Sequence, residues 1–298
     1  MPRRGKYGPI GGCEVTLENG GIRVDPPLID EYPEATRALM SDGHQQFTKA
    51  LSAIPCNCCP VGRSLHNTKG LPCEAPISPV IGQGSRNAEV VFVGEAPGKE
   101  EWISKTPFTG KSGQTIRNVV YSSGVLNHLK YGVAYVNIVM CYPFDLLDGA
   151  VKDRKPGAEE AASCVGFLMK QLFLIRPRII VALGKTAAVS LFGMSSSVKV
   201  FDIRGRPFML PELDFGGYSP VGLVTYHPAA YHHDPSDAGK KEKLAAIRQD
   251  VSKIPILMEN PYSISHLPDT GKIWTKGNLA GVKSGRAAKR GLKTHEGS

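Results

Sequence analysis

Short apolar runs alternate with segments of helical periodicity through the middle of the chain. Continuous apolar runs bounded by glycine or polar residues predict four buried strands, over residues 89–94, 133–139, 178–184 and 221–226. Apolar positions at helical spacing predict four helices, over residues 112–123, 158–175, 185–192 and 237–251. This alternation predicts an α/β fold in which a parallel sheet lies between two layers of helices.

The segments outside this alternation have a different composition. Residues 1–45 are rich in Gly, Pro and acidic residues without a sustained period, which predicts a loosely structured N-terminal extension. Residues 46–87 hold many turn residues and most of the cysteines, and we assign them to the folded domain, 46–258, as a loop-rich part. Residues 259–298 are rich in Gly, Ser and Lys, which predicts a flexible tail.

The charge of the chain is concentrated in that tail. Lys and Arg number 36 against 27 Asp and Glu, a formal net charge of +9. Residues 272–298 hold seven Lys or Arg and one acid, Glu296, so the tail alone carries +6. A basic tail is typical of a protein with a polyanionic partner, nucleic acid first, although a protein partner for the tail stays open.

The cellular compartment is predicted from two sequence features that we do not find, a membrane helix and a secretory signal. No apolar run reaches the ~18 residues of a membrane helix, and the N-terminal residues have charge without the apolar core of a secretory signal. We therefore expect a cytoplasmic protein of a prokaryote or a virus, with no membrane partner, and a monomer by default. The seven cysteines are then more typical of metal or cluster ligation than of a disulfide framework, with core packing as the alternative.

Polar and aromatic residues follow three of the predicted strands. Phe108 lies in the loop after the first strand, Asn137 near the end of the second, and His227 just after the fourth. Ligands bind open parallel sheets at the carboxyl ends of the strands, so these side chains are expected to meet at one edge. A ring face, an amide with a donor and an acceptor, and an imidazole are together suited to hold a nucleobase.

A phosphate-binding loop is the first rival interpretation of this region. Gly110, Lys111 and Ser112 resemble the end of a nucleotide-binding P-loop. That motif requires a glycine five residues before Gly110, where this chain has Lys105. The sequence therefore argues against nucleotide hydrolysis.

Six ordered motifs carry a resemblance to a known family. GEAPG, PFTGKSG, VNIVMCYP, EEAASC, RIIVALGKTAA and TYHPAA occur in this order between about residues 50 and 255. In this respect the chain resembles the iron–sulfur, or family 4, uracil-DNA glycosylases. The resemblance implies a three-layer αβα fold with a four-stranded, mainly parallel sheet and a loop-rich cluster segment packed on it. It also implies hydrolysis of the N-glycosidic bond of deoxyuridine in DNA, single-stranded or in a U·G pair, leaving an abasic site.

The resemblance also implies residue roles. Phe108 would stack on the flipped uracil, Asn137 would read its edge, and His227 would lie near O2 and stabilise the departing anion. Glu95 would either orient the attacking water or hold the first loop. The remaining implied substrate-binding residues are Gly94, Ala96, Pro97, Gly98, Ser112 and Tyr231.

Ala96 stands where the best-known branch of the superfamily has a water-positioning Asp, and here it agrees with the iron–sulfur branch. Three other positions depart from the family pattern. Met140 and Tyr142 stand where the family usually has Lys and Arg, which removes positive charge near the DNA path and bears on DNA affinity more than on chemistry. Tyr231 takes the place of a leucine that wedges into the duplex.

The resemblance further implies a 4Fe–4S cluster held by Cys56, Cys59, Cys141 and Cys164, with a structural role. A zinc site of Cys56, Cys59, His66 and Cys73 is the rival, and Cys164 alone reads as a core cysteine. Cys13, Cys58 and Cys73 receive no role. His232, His233 and Asp234 suggest a metal only weakly against the alternative of a solvated loop.

Two functions therefore stay open at this point. The first is a uracil-excising repair enzyme, favoured because Glu95, Phe108, Asn137 and His227 are all present. The second is a non-catalytic DNA-binding or replication-accessory protein on the same fold, since a fold alone does not fix an activity.

Overall fold

The computed structural model describes residues 15–18, 21–24, 79–147, 150–210 and 213–260. The strands are β1 Val15–Glu18, β2 Gly21–Val24, β3 Gln83–Gly84, β4 Val90–Gly94, β5 Val133–Asn137, β6 Phe144–Leu147, β7 Ala150–Asp153, β8 Ile179–Leu183, β9 Phe208–Met209 and β10 Val221–Thr225. The helices are α1 Lys99–Ser104, α2 Lys111–Ser122, α3 Ala158–Ile175, α4 Gly184–Phe192, α5 Val200–Ile203, α6 Ala229–His232, α7 Asp237–Val251 and α8 Ile254–Glu259, with a 3-10 turn at Val125–His128.

The central sheet has six strands in the order β3-β5-β4-β8-β10-β9. The four middle strands run parallel, with Val91 opposite both Ala134 of β5 and Ile180 of β8. The short edge strands β3 and β9 run antiparallel to their neighbours. The predicted four-stranded parallel core is thus confirmed. The two edge strands are only two residues each, too short to leave an alternating pattern in the sequence.

Two hydrophobic layers sandwich this sheet. One packs α3 and α4 against one face, with Leu168, Leu172 and Ala188 in contact with sheet residues. The other packs α2 and α7 against the opposite face, through Ile116 and Ile247 among others. Because both faces are covered, all residues of β4, β8 and β10 are buried, which explains their continuous apolar runs. The three-layer αβα architecture is therefore confirmed.

The helix α3 begins and ends at the residues that its periodicity predicts. Its N-terminus is closed by Glu160, whose carboxylate accepts a hydrogen bond from the Gly157 N–H at 2.6 Å. At the other end the backbone of Arg176 turns left-handed, with φ 52°, directly before Pro177. Capping and a terminal proline fix both ends of this helix locally, so sequence alone places them well.

Several elements were not predicted. The helix α1 and the hairpin β6–β7 lie in segments read as loops, and β1 pairs antiparallel with β2 inside the predicted N-terminal extension. Cys56, Cys59, His66, Cys73 and the tail beyond residue 260 lie outside the described residues. Among the helices that are described, none is long and apolar enough to cross a membrane.

Candidate active site

A cavity of about 340 Å³ opens at the carboxyl ends of the parallel strands. It brings together the side chains expected to converge there: Phe108 from the loop between α1 and α2, Asn137 from the end of β5, and His227 from just beyond β10. Its other lining residues are Gly94, Ala96, Gly98, Lys99, Glu100, Glu101, Gly110, Lys111, Ser112, Gly113, Asp153 and Pro228. The convergence of Asn137 and His227 follows from the shared direction of β5 and β10.

Phe108 is held in an uncommon backbone conformation. Its φ is +60°, in the left-handed region, and its ring is only 7% exposed. Gly113 in the first turn of α2 makes this fit possible, because a Cβ there would lie 2.3 Å from the Phe108 backbone. The ring packs against Tyr135 with centroids 5.2 Å apart. Such a fixed ring offers a preformed surface for stacking.

Arg117 of α2 holds the loop that carries Phe108 by hydrogen bonds to its backbone. Its Nε donates to the Phe108 carbonyl at 3.0 Å and its Nη2 to the Pro107 carbonyl at 3.0 Å. The guanidinium also lies 4.2 Å from the centroid of the Tyr135 ring, which in turn contacts Phe108. Sequence reasoning did not single out this residue, since it lies nine residues from the loop it holds.

Glu101 of α1 joins the two loops on either side of that helix, which contain Gly98 and Gly110. Its Oε2 accepts the Gly98 N–H at 2.9 Å, and its Oε1 accepts the Gly110 N–H at 3.0 Å. The residue is 9% exposed, so both bonds are shielded from water. Sequence reasoning missed Glu101 as well. The signal available was a carboxylate three residues after Gly98, at capping-box spacing.

Asn137 ends β5 inside the cavity and is 5% exposed. Within the described part of the chain its carboxamide has no hydrogen-bond partner, although it lines the cavity. Gly94 permits this position, because a Cβ on that residue would lie 2.4 Å from Asn137 Oδ1 and 2.8 Å from the Phe108 ring. An amide held this way has both its donor and its acceptor available for a ligand.

His227 is a neutral imidazole with a defined tautomer. Burial, aided by the positive charges of Lys155 and His233, lowers the pKa of His227 to about 4. The Ala229 N–H donates to Nδ1 at 3.1 Å, so the proton of the neutral ring resides on Nε2. His227 is therefore arranged as a hydrogen-bond donor at neutral pH.

Glu95 lies between Gly94 and Ala96, but the cavity walls do not include it. Burial raises the pKa of its carboxyl, opposed by the charge of Lys155 and a hydrogen bond from Thr186 on α4. Its Oε1 is buried and has no partner within the described residues. The Glu95 carboxyl is thus directed toward Thr186 on α4 and does not line the cavity.

The other expected substrate-binding residues are placed unevenly. Ala96, Gly98 and Ser112 line the cavity, whereas Pro97 is buried and Tyr231 lies half-buried on α6, outside the cavity walls. Next to Tyr231, His232 Nε2 lies 2.9 Å from the Thr115 hydroxyl of α2, so this short helix is docked against α2. The DNA wedge expected of Tyr231 stays a prediction.

Asp153 is a further acidic residue that lines the cavity. It is the last residue of β7 and lines the cavity with Asn137 and His227. The buried Tyr142 donates its hydroxyl hydrogen bond to Asp153 Oδ1. Both Asp153 and the hairpin that carries it were missed, because the hairpin strands are only four residues each.

Two of the four expected cluster ligands lie in the described part of the chain. Cys141 follows β5 and is 3% exposed, and Cys164 on α3 is 1% exposed. The Val80 N–H donates to the Met140 carbonyl at 2.7 Å, so the chain from the cysteine-rich segment enters beside Cys141. Two buried thiols from separate parts of the fold are of the kind that can ligate an iron–sulfur cluster.

No metal site forms around His232, His233 and Asp234. Within the described residues no group of three or more metal-binding side chains occurs. Asp234 instead pairs with Lys243 and accepts the Ser236 N–H at 2.9 Å, which lowers the pKa of Asp234 to about 2. These contacts of Asp234 favour a solvated loop over a metal site at residues 232–234.

Comparison with known proteins gives a consistent picture. The family described as the Uracil DNA glycosylase superfamily matches residues 81–251. Type-4 uracil-DNA glycosylase of Thermotoga maritima is 35% identical over 150 residues, 50% of this chain and 69% of that protein. That of Archaeoglobus fulgidus is 32% identical over 52% of this chain and 73% of its own length. That of Saccharolobus solfataricus is 30% identical over 61% and 80%.

The αβα fold and its cavity define a member of the uracil-DNA glycosylase superfamily. Within that superfamily the chain belongs to the type-4 uracil-DNA glycosylases.

Proposed function

We propose that this protein removes uracil from DNA by hydrolysing the N-glycosidic bond of deoxyuridine. The observation that carries the proposal is the meeting of Phe108, Asn137 and His227 in one cavity at the sheet edge. Each offers what one part of the reaction requires: a stacking face, a base-reading amide and a neutral donor. The cavity opens to solvent, so a base flipped from the helix can enter it.

Binding of the base rests on the first two residues. Uracil stacks on the rigid Phe108 ring, and the Asn137 carboxamide pairs with its edge. Because Asn137 has no partner within the described residues, a base with a matching donor and acceptor gains both hydrogen bonds. Cytosine presents the reversed pattern of donor and acceptor, so it pairs only after the carboxamide has turned over.

Bond cleavage rests on His227. As the glycosidic bond breaks, negative charge moves to the uracil ring and O2. The Nε2–H of a neutral imidazole stabilises this charge without first losing or gaining a proton. Since the pKa of His227 is lowered to about 4, the donor stays neutral at physiological pH. Glu95, which faces Thr186 rather than the cavity, fits the role of holding the first loop.

The test is a glycosylase assay on an end-labelled oligonucleotide with one uracil, single-stranded or opposite G, followed by hot alkali. Cleavage at uracil but not at a thymine control is the expected result. Asn137→Ala is expected to lower the rate on the order of 100-fold, since both hydrogen bonds to the base are lost. Asn118→Ala, on the exposed side of α2, is the matched control.

Absence of cleavage by well-folded protein that still binds DNA would contradict the proposal. It would favour the accessory role instead. Equal rates for Asn137→Ala and Asn118→Ala would remove Asn137 from base recognition while leaving the activity in place.

The proposal includes a 4Fe–4S cluster held by Cys56, Cys59, Cys141 and Cys164. When bound, the cluster supplies a structural cross-link and no redox step in turnover. The buried Cys141 and Cys164 supply thiols from two different elements of the sheet domain. The cysteine-rich segment would thereby be fastened to the carboxyl end of β5.

Two cysteine variants separate this cluster from the zinc alternative. Cys141→Ala is expected to abolish the brown colour and bound iron and sulfide, whereas Cys73→Ala leaves them unchanged. The zinc site predicts the reverse, with metal content lost only in Cys73→Ala. Metal analysis of anaerobically purified protein decides between the two.

We also propose that the basic tail binds DNA phosphates. A chain ending at Asn260 loses the seven Lys or Arg of residues 272–298. Each phosphate contact contributes about 0.9 to the slope of log affinity against log salt on duplex DNA, so truncation lowers that slope. An unchanged slope would assign the tail to a protein partner.

A further inference from the structure

We infer that Asp153 orients the water that attacks the sugar during uracil excision. The inference rests on the proposed function and adds to it a residue that the motifs do not single out. Three observations carry it. Asp153 lines the cavity, Tyr142 anchors its carboxylate, and none of the other described carboxylates that line the cavity is both anchored and left with an oxygen for water.

The position of the Asp153 carboxylate is fixed by its contact with the buried Tyr142. Asn137 ends β5, and five residues later Tyr142 is buried between Trp102 and Phe144, with ring centroids 5.8 and 5.5 Å away. Its hydroxyl donates to Asp153 Oδ1. This packed aromatic side chain holds the Asp153 carboxylate through Oδ1, and Oδ2 has no hydrogen bond within the described residues, so it is left for a water molecule.

The other carboxylates near the cavity are less suited to hold a water. Both oxygens of Glu101 accept backbone N–H groups, from Gly98 and Gly110. Glu100 is exposed on the first turn of α1 and has no hydrogen bond within the described residues, so nothing fixes its direction. Glu95 faces Thr186 and does not line the cavity.

The reaction balances with Asp153 as the proton acceptor. The bond between C1′ and N1 breaks, and its electron pair leaves with the uracil, which His227 stabilises. A water held by Asp153 forms the new bond from its oxygen to C1′ and gives its proton to the carboxylate. That proton then passes through solvent to the uracil anion. The carboxylate also lowers the energy of the positively charged sugar.

Asp153→Asn tests this role, because asparagine keeps an oxygen that can accept from Tyr142 but loses the charge. We expect a single-turnover rate about 100-fold lower on a U·G duplex. Affinity for the same duplex carrying uncleavable 2′-fluorodeoxyuridine is expected to stay within twofold. Asp145→Asn on the paired strand β6 is the matched control, since Asp145 contacts Arg154 and does not line the cavity.

A second readout separates a water-orienting role from a structural one. In mixtures of water and methanol, attack by methanol leaves a methyl glycoside that resists hot alkali. A residue that holds water favours water over methanol, so Asp153→Asn is expected to raise the fraction of alkali-resistant product. Asp145→Asn is expected to leave this fraction at the wild-type value.

The outcomes are distinct. An Asp153→Asn variant with the wild-type rate or the wild-type product ratio would overturn the inference while leaving uracil excision intact. A larger shift in product ratio for Glu95→Gln than for Asp153→Asn would assign the water to Glu95. Absence of excision by the wild-type protein would overturn the proposed function itself.

Discussion

The cavity has two walls that are built from different kinds of contact. In the first wall, residues 94–113, charged side chains bind backbone groups: Glu101 accepts two N–H groups, and Arg117 from α2 donates to two carbonyls. The second wall is Asp153, which is held by the hairpin β6–β7 and its neighbours, where side chains bind one another. Tyr142 donates to Asp153, and Arg154 pairs with Asp145 at 3.1 Å and with Glu160 at 2.6 Å.

This difference matches the demands on each wall. A stacking ring must lie in one plane, and hydrogen bonds to the backbone fix the chain itself, including the left-handed conformation of Phe108. Side-chain pairs fix only the groups that form them, so the second wall can differ in length while still presenting a carboxylate. We therefore expect changes at Glu101 and Arg117 of the first wall to affect excision strongly. Changes at the paired side chains around Arg154 in the second wall are expected to affect stability more, whereas Asp153 itself lines the cavity and affects excision.

The largest effect is expected from Glu101→Ala. The change leaves the N–H groups of Gly98 and Gly110 without their partner, at a cost of about 1–3 kcal/mol each. We expect single-turnover excision to fall about 100-fold. Glu242→Ala, an exposed residue of α7, is the control. A rate within twofold of that control would show that the two loops hold their positions without the carboxylate.

A smaller effect is expected from Arg117→Ala. The ring of Phe108 stays in place through Gly113 and Tyr135, but its carbonyl loses a charge-assisted bond. We expect about a 10-fold loss of excision and a matching rise in the inhibition constant of free uracil. Arg117→Lys keeps the charge without the paired donors and is expected to recover little. Full recovery by lysine would mean that charge alone matters at this position.

The smallest effect on activity is expected from Arg154→Ala. Its partner Glu160 has a side chain only 4% exposed, so the loss of Arg154 leaves a shielded carboxylate with its Gly157 contact alone. We expect a fall of about 1–3 kcal/mol in the free energy of unfolding and less than about a 10-fold loss of excision. Urea unfolding beside Lys152→Ala checks the first value. If Arg154→Ala lost more excision activity than Arg117→Ala, the expected difference between the two walls would be wrong.

The parallel core of the fold was predictable because its signals are local. Each central strand is a five-residue run with both faces covered, and such runs are apolar throughout. The convergence of Asn137 and His227 followed too, since parallel strands present their carboxyl ends at one edge. The short helix α1 and the hairpin β6–β7 were missed, because their patterns are no longer than those of ordinary loops.

By itself, the sequence determined the four parallel strands, the four longest helices, the αβα class, the family and the residues that follow the parallel strands. Only the tertiary structure decided that Glu101 joins two loops, that Arg117 holds Phe108, and that Asp153 lines the same cavity as Asn137. Periodicity records which face of an element is buried, and motifs record chemistry at close spacing. Neither records which side chains from separate elements come within hydrogen-bonding distance, because that depends on how those elements pack.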